Sequence, residues 1–213
     1  MPGLDGLRAI AVLAVIGYHI GLGWTPGGLL GVGVFFTLSG YLITDLLLQH
    51  REEHGSLGLG NFWIRRARRL LPALFVMLGV VTIWVAVLDH DRLTALRGYV
   101  VAALLYVSNW FYISQHLSYF GEFSRPGPLD HLWSLAVEEQ FYLLWPFLLL
   151  IGLTFIPRLS WRVAAVLGLA LISTILMAVL YQPGFDIVSR DPTRVYEGTD
   201  TRAAGLLIGA ALV

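Results

Sequence analysis

Arg8 and His19 are a pair whose types and spacing could do chemistry; both lie in the apolar stretch LRAIAVLAVIGYHIGLG, Leu7 to Gly23. They are eleven positions apart. At ~100° per residue that separation is within ~20° of a whole number of helical turns. One stripe of a helix would therefore carry a guanidinium near its start and an imidazole ~16 Å further along and deep inside the span. An imidazole can act as general base towards a hydroxyl at neutral pH. Ionisable groups within a spanning helix usually face a bundle interior or a water-filled cavity. A second use fits the same residues without chemistry: Arg8 among lipid headgroups and His19 bonded to a neighbouring carbonyl.

A second cluster is RRARRLLP, in which Arg65, Arg66, Arg68 and Arg69 fall within five positions. The arginine fork matches phosphate oxygens, so the run could dock a polyanionic ligand. It could equally hold a helix end on one side of the membrane or attract anionic lipid. A third group, His131, Glu138, Glu139 and Gln140, opens the apolar stretch HLWSLAVEEQFYLLWPFLLLIGLTFI. Polar groups at the head of a membrane helix are costly unless they line a site. His50 and His54 are four apart but sit in a charged segment and read as solvated, so no metal site is expected. Trp110, Trp133 and Trp145 read as interface or core residues. No phosphate-binding glycine loop, HExxH or GxSxG motif occurs. The absence of cysteine excludes disulfides and thiolate metal sites.

The elements that must position these groups are membrane helices. Of the 213 residues, 57% are hydrophobic and 13% charged, against roughly 25% charged in soluble domains. The formal net charge is zero, which gives no reason to expect a nucleic-acid partner. The first apolar stretch lacks an A-x-A site and reads as an uncleaved span capped by Asp5. A second span runs from about Leu29 to Leu48, where Gly31, Gly33, Ser39 and Gly40 permit close helix approach. Residues 49–69 form a polar connection, followed by a third span, about Leu70 to Leu88, with Pro72 in its first turn. A fourth apolar segment, about Gly98 to Ile113, is short and is expected to be tilted or re-entrant. After the connection 114–130 come the fifth span, opening at His131, and a sixth over about Val163 to Tyr181. The polar loop 182–201 leads to the start of a seventh, which Val213 interrupts, so the chain reads as one domain truncated at its C-terminus. Arg51, Arg65, Arg66, Arg68 and Arg69 outweigh Arg92 and Arg97 of the next loop. The positive-inside rule then puts the N-terminus and residues 49–69 in the cytoplasm and residues 89–97 outside.

DGLRAIAVLAVIGYH, GGLLGVGVFFTLSGYLIT, FWIRRARRLLPAL, SNW, HLWSLAVEEQFYLLWP and YEGTDTRAAGLLIGA occur in this order. Together they resemble the acyltransferase-3 family of integral membrane acyltransferases, and the resemblance covers the chain from Gly3 onward. It implies an all-α, polytopic transmembrane helix bundle, with about seven spans here and about ten in the complete domain. It implies transfer of an acyl group, commonly acetyl, from acyl-coenzyme A to a hydroxyl of a sugar or cell-envelope glycan. No permanently bound cofactor is expected. The setting implied is multi-pass in a bacterial plasma membrane.

Arg8 and His19 match the arginine and histidine of the family's first span, and Arg65, Arg66, Arg68 and Arg69 match its basic motif. On the chemistry above, Arg8 and His19 are the catalytic candidates and the four arginines the candidates to hold the coenzyme phosphates. Phe35, Phe36, Ser39 and Gly40 match the family's FF-x-x-SG segment. Trp133, Ser134, Leu135, Glu138, Gln140, Phe141 and Tyr142 match its WSL-x-x-E-x-QFY segment. Many members carry an aspartate where this chain has Gly33. Glu138 is the candidate to take over that carboxylate's work and orient His19. A transporter or flippase without covalent chemistry is the alternative, since polar groups in a glycine-rich bundle suit it too. No paired helix breaks in corresponding halves support that alternative, and nothing specific argues for a third class, a membrane receptor.

Overall fold

The computed structural model of the chain describes residues 2–120, 127–181 and 192–213. Parts of the two connections 114–130 and 182–201 therefore lie outside the described residues. Every regular element among the described residues is helical, as expected. The α-helices are α1 (Pro2–His19), α2 (Leu30–His54), α3 (Leu59–Leu88), α4 (Leu93–Leu104), α5 (Ser108–Ser114), α6 (Leu132–Phe155), α7 (Leu159–Leu180), α8 (Thr193–Glu197) and α9 (Thr199–Ala211), and a 3-10 turn, His90–Arg92, joins α3 to α4. By length and composition, four of them could cross a membrane: α2, α3, α6 and α7. The expected first, fourth and seventh spans are shorter or less apolar as helices.

The chain forms two compact units. The first comprises Met1–Leu57, Leu144–Leu180 and Asp200–Val213; the second comprises Gly58–Leu143 and Tyr181–Thr199.

In the first unit, α1 begins at Pro2, since a proline lacking its amide hydrogen costs nothing at a helix start. Asp5 therefore lies inside the first turn, not ahead of the helix, where its charge still suits the helix dipole. The helix stops early because Gly21 adopts φ 71 and the Leu22 amide turns back to the Gly17 carbonyl at 3.0 Å. This corrects the expected depth of His19, which is the last residue of α1 and not an interior one.

Glycine lets helices touch in this unit. An added Cβ at Gly31 would come within 2.6 Å of the Ala11 carbonyl oxygen of α1. One at Gly40 would meet the Leu206 carbonyl of α9, and one at Gly209 would meet the Thr37 carbonyl of α2. Gly31 and Gly40 thus serve the close approach the sequence suggests, while Gly33 has nothing within 4 Å of a Cβ. Polar ties complete the seam. Thr44 donates to the Gly40 carbonyl at 2.7 Å, and the Trp145 indole donates to Thr44 at 2.9 Å. Ser173 of α7 donates to the Asp200 carbonyl and accepts from the Ala204 amide at 3.1 Å.

The expected polar connection, whose residues 49–57 belong to the first unit and 58–69 to the second, is mostly helix. The segment 49–69 is rich in good helix formers such as arginine, glutamate and leucine, and only the left-handed Gly55 (φ 72) and Gly58 (φ 57) interrupt it. All four arginines of the basic run therefore sit on α3. Pro72 lies well inside this helix, not in its first turn, and deprives the Arg68 carbonyl of its usual amide partner. α3 packs on α4 through Leu74, Leu78, Val85, Leu96 and Ala103, with Leu129 and Leu132 closing the cluster. The expected fourth span is broken: Tyr106, at φ 53, separates α4 from the seven-residue α5. A backbone at that angle cannot continue a right-handed helix.

Candidate active site

His19 ends α1 as an exposed side chain whose Nδ1 lies 2.8 Å from the Val15 carbonyl oxygen. A carbonyl only accepts, so Nδ1 carries the hydrogen and the lone pair of the neutral ring resides on Nε2. The bond to a carbonyl that the sequence allowed is thus present, and it sets the tautomer a base would need. Tyr18 meets the imidazole edge to face at 5.5 Å. Arg8 is half-buried on the same helix.

The FF-x-x-SG residues belong to the packing of the first unit. Phe36 and Ser39 are buried, Phe35 is half-buried, and Gly40 is the contact point with α9.

The second unit sorts the arginines by geometry. At ~100° per residue, Arg65, Arg68 and Arg69 share an arc of ~100°, and all three are exposed. Arg66 points elsewhere. Its Nε lies 2.9 Å and 3.1 Å from the two Glu139 oxygens, and its Nη2 also donates to Glu139. The guanidinium carbon is 3.5 Å from the centre of the Tyr142 ring, a cation–π contact. The Trp63 indole donates to the Tyr142 carbonyl at 3.1 Å and pins the same helix turn. These groups border a cavity of about 310 Å³, with Leu70 and Tyr106 on its apolar side. Glu138 is half-buried and contributes to the field at Arg66. His19 belongs to the first unit and Glu138 to the second.

Gln140 centres a separate polar network. Its amide nitrogen donates to the Tyr106 carbonyl at 2.8 Å and to Asn109 Oδ1 at 3.0 Å. Its oxygen accepts from the Thr199 hydroxyl at 2.6 Å and the Trp110 indole at 3.2 Å. Asn109, fully buried, donates onward to the Glu197 carbonyl at 3.0 Å and to Thr199 Oγ1 at 2.9 Å. Trp133 is buried against the Tyr196 ring at 4.8 Å, and Ser134 lies 3.3 Å from the His131 carbonyl. The WSL-x-x-E-x-QFY residues thus knit α5, α6, α8 and the start of α9. Sequence reasoning did not single out Glu139, Asn109 or Thr199 for these partners. Asn109 lies within SNW and Thr199 within YEGT, so their neighbourhoods were visible although their contacts were not.

His50 and His54 stack at 4.3 Å on the last turns of α2. Among the described residues no group of three or more His, Cys, Asp or Glu side chains could hold a metal ion.

Comparison with known proteins matches the family model for an acyltransferase domain, of the acyltransferase-3 type, to residues 1–212. The chain is 51% identical over 212 residues to the peptidoglycan O-acetyltransferase OatA of Listeria monocytogenes, covering 100% of this chain and 33% of that protein. It is 50% identical over 213 residues to a Bacillus subtilis protein named "Putative peptidoglycan O-acetyltransferase YrhL", again covering 100% of this chain and 33% of the other. The chain therefore spans about a third of the length of the curated relatives it matches. No solved structure matches it. With the family model covering nearly every residue, the chain belongs to the acyltransferase-3 family of integral membrane acyltransferases.

Proposed function

We propose that this chain is the membrane part of an O-acyltransferase that moves an acetyl group from acetyl-coenzyme A to a hydroxyl of a cell-wall glycan. The observation that carries this reading is identity of about one half, along the whole chain, to proteins named as peptidoglycan O-acetyltransferases. The exposed face of Arg65, Arg68 and Arg69 supports a clamp for the coenzyme phosphates, because three arginines share one exposed arc of α3. The arginine excess supports placing that clamp and the N-terminus in the cytoplasm.

The chemistry follows from the ring of His19. Its Nε2 takes the proton of the acceptor hydroxyl as the oxygen attacks the thioester carbonyl. The new C–O bond forms, the C–S bond breaks, and the imidazolium returns the proton to the departing coenzyme thiolate. The Val15 carbonyl stabilises the ring while it is charged. In this orientation His19 stands at the outer end of α1 and Arg8 towards its inner end. The acceptor approaches from outside. Glu138 is the carboxylate proposed to do the work of the aspartate absent at position 33.

Membranes bearing the protein, supplied with acetyl-labelled coenzyme A and cell-wall glycan, should yield base-labile label on the glycan. Label retained only on the donor would refute the reading.

A further inference from the structure

The second unit holds a cavity of about 260 Å³ beside the turn that joins α3 to α4, sharing no lining residue with the cavity at Arg66 and Glu139. Val85, Leu96 and Pro128 give it apolar walls, and Arg92, Tyr99 and Asp130 bring a guanidinium, a phenol and a carboxylate to its lining. We infer that this cavity is a binding subsite for one neutral sugar ring of the acceptor, an inference that rests on the acyl-transfer reading above.

The charge of the lining selects the class of ligand. A carboxylate and a guanidinium share the cavity, the guanidinium bonded through Nε to Asp89 at 2.8 Å with its Nη groups left for a ligand, and both act on the Tyr99 hydroxyl. A polyanion such as the coenzyme would meet Asp130, and a simple cation would meet Arg92. A neutral polyhydroxy ring suits both, giving its O–H donors to the carboxylate and its ring or amide oxygens to the guanidinium. The apolar walls then cover its C–H faces.

Asp130 is built for such donors. The Gly127 amide donates to its Oδ2 at 2.5 Å, and a Cβ at Gly127 would collide with its Oδ1. The glycine therefore lets the backbone anchor this carboxylate in one orientation. Burial pushes the Asp130 carboxyl above its ordinary range, with the Gly127 hydrogen bond opposing the shift. A carboxylate stripped of water is stabilised by hydroxyls that replace that water.

Size and place agree. Drug-sized ligands fill ~300–1,000 Å³, so this cavity has room for a single ring and not an extended chain. Val85 lies nineteen positions beyond Arg66 on α3, a rise of ~28 Å along the helix, close to the thickness of a bilayer core. The wall at Val85 and the Arg92 turn thus belong to the end of α3 opposite the basic run, where a glycan outside the cell would arrive.

The test is direct binding of N,N′-diacetylchitobiose to the purified protein in detergent, by calorimetry or saturation-transfer NMR. Saturable binding is expected for the wild type and for Arg97→Leu, whose side chain lines a different groove. Asp130→Ala should weaken binding about 10- to 100-fold, and Tyr99→Phe, which keeps the ring and the fold, about 2- to 10-fold. In transfer assays both losses should appear in the acceptor KM and not in the donor KM. Unsaturable binding to the wild type, or wild-type affinity in folded Tyr99→Phe and Asp130→Ala, would overturn the subsite. Binding that behaves as expected in a protein that transfers no acetyl would uphold the subsite and refute the acyl-transfer reading.

Discussion

Arg66 and Glu139, 73 positions apart in sequence, form a forked ion pair over the face of Tyr142. The side chains are 22% and 13% exposed, so water screens the pair only partly. Removing either partner leaves a poorly solvated charge on the other, a loss that should fall between the values for surface and buried pairs, about 1–3 kcal/mol. Arg66→Ala and Glu139→Ala should each lower the unfolding midpoint in detergent, and the double variant should cost less than the sum. Arg66→Lys should recover little, because it loses the fork and the stacking on Tyr142. Additive losses would mean that the two residues stabilise the fold independently.

The remaining arginines should behave differently. Arg65, Arg68 and Arg69 are exposed, so alanine at these positions should hardly change stability. Where a residue touches the donor's phosphates, its loss should weaken acetyl-coenzyme A binding about 10- to 100-fold. Unchanged donor affinity in the triple alanine variant would reduce the run to a topology signal.

Topology can be read with single cysteines, since the natural chain has none. Ser56 and Thr94 are both exposed, in the α2–α3 turn and in the first turn of α4. In intact cells an impermeant thiol reagent should label Thr94→Cys and spare Ser56→Cys. The reverse pattern would invert the proposed orientation.

The helical class, the order of the main helices and the glycine contacts at Gly31 and Gly40 were legible in the sequence, because apolar runs and small residues report local geometry directly. Boundaries were less so. Charge made residues 49–69 look like a loop, yet arginine and glutamate are good helix formers, and only Gly55 and Gly58 stop the chain. Gly21 ended α1 sooner than its apolar pattern suggested and moved His19 from mid-depth to the helix end. The partnership of Arg66 with Glu139 could not be read at all, because nothing local links positions 73 apart. The same holds for the Gln140, Asn109 and Thr199 network.

Gly33 and Gly40 make opposite predictions although they share a helix. A Cβ at Gly40 runs into the Leu206 carbonyl, so Gly40→Ala should force α2 and α9 apart and destabilise by about 1–3 kcal/mol. Gly33 has open space for a Cβ, so Gly33→Ala should fold with little change in midpoint. Thermal unfolding of the two variants side by side checks this, and equal losses would contradict it.

The central claim is that His19 is the base. The decisive measurement is the rate of acetyl transfer to cell-wall glycan by purified His19→Gln, alongside its affinity for acetyl-coenzyme A. Glutamine keeps some hydrogen bonding at the end of α1 but cannot take a proton at neutral pH. The account predicts transfer reduced about 10²- to 10⁴-fold with donor affinity retained. Near wild-type turnover in a folded His19→Gln protein would contradict it and leave His19 as the residue that closes α1.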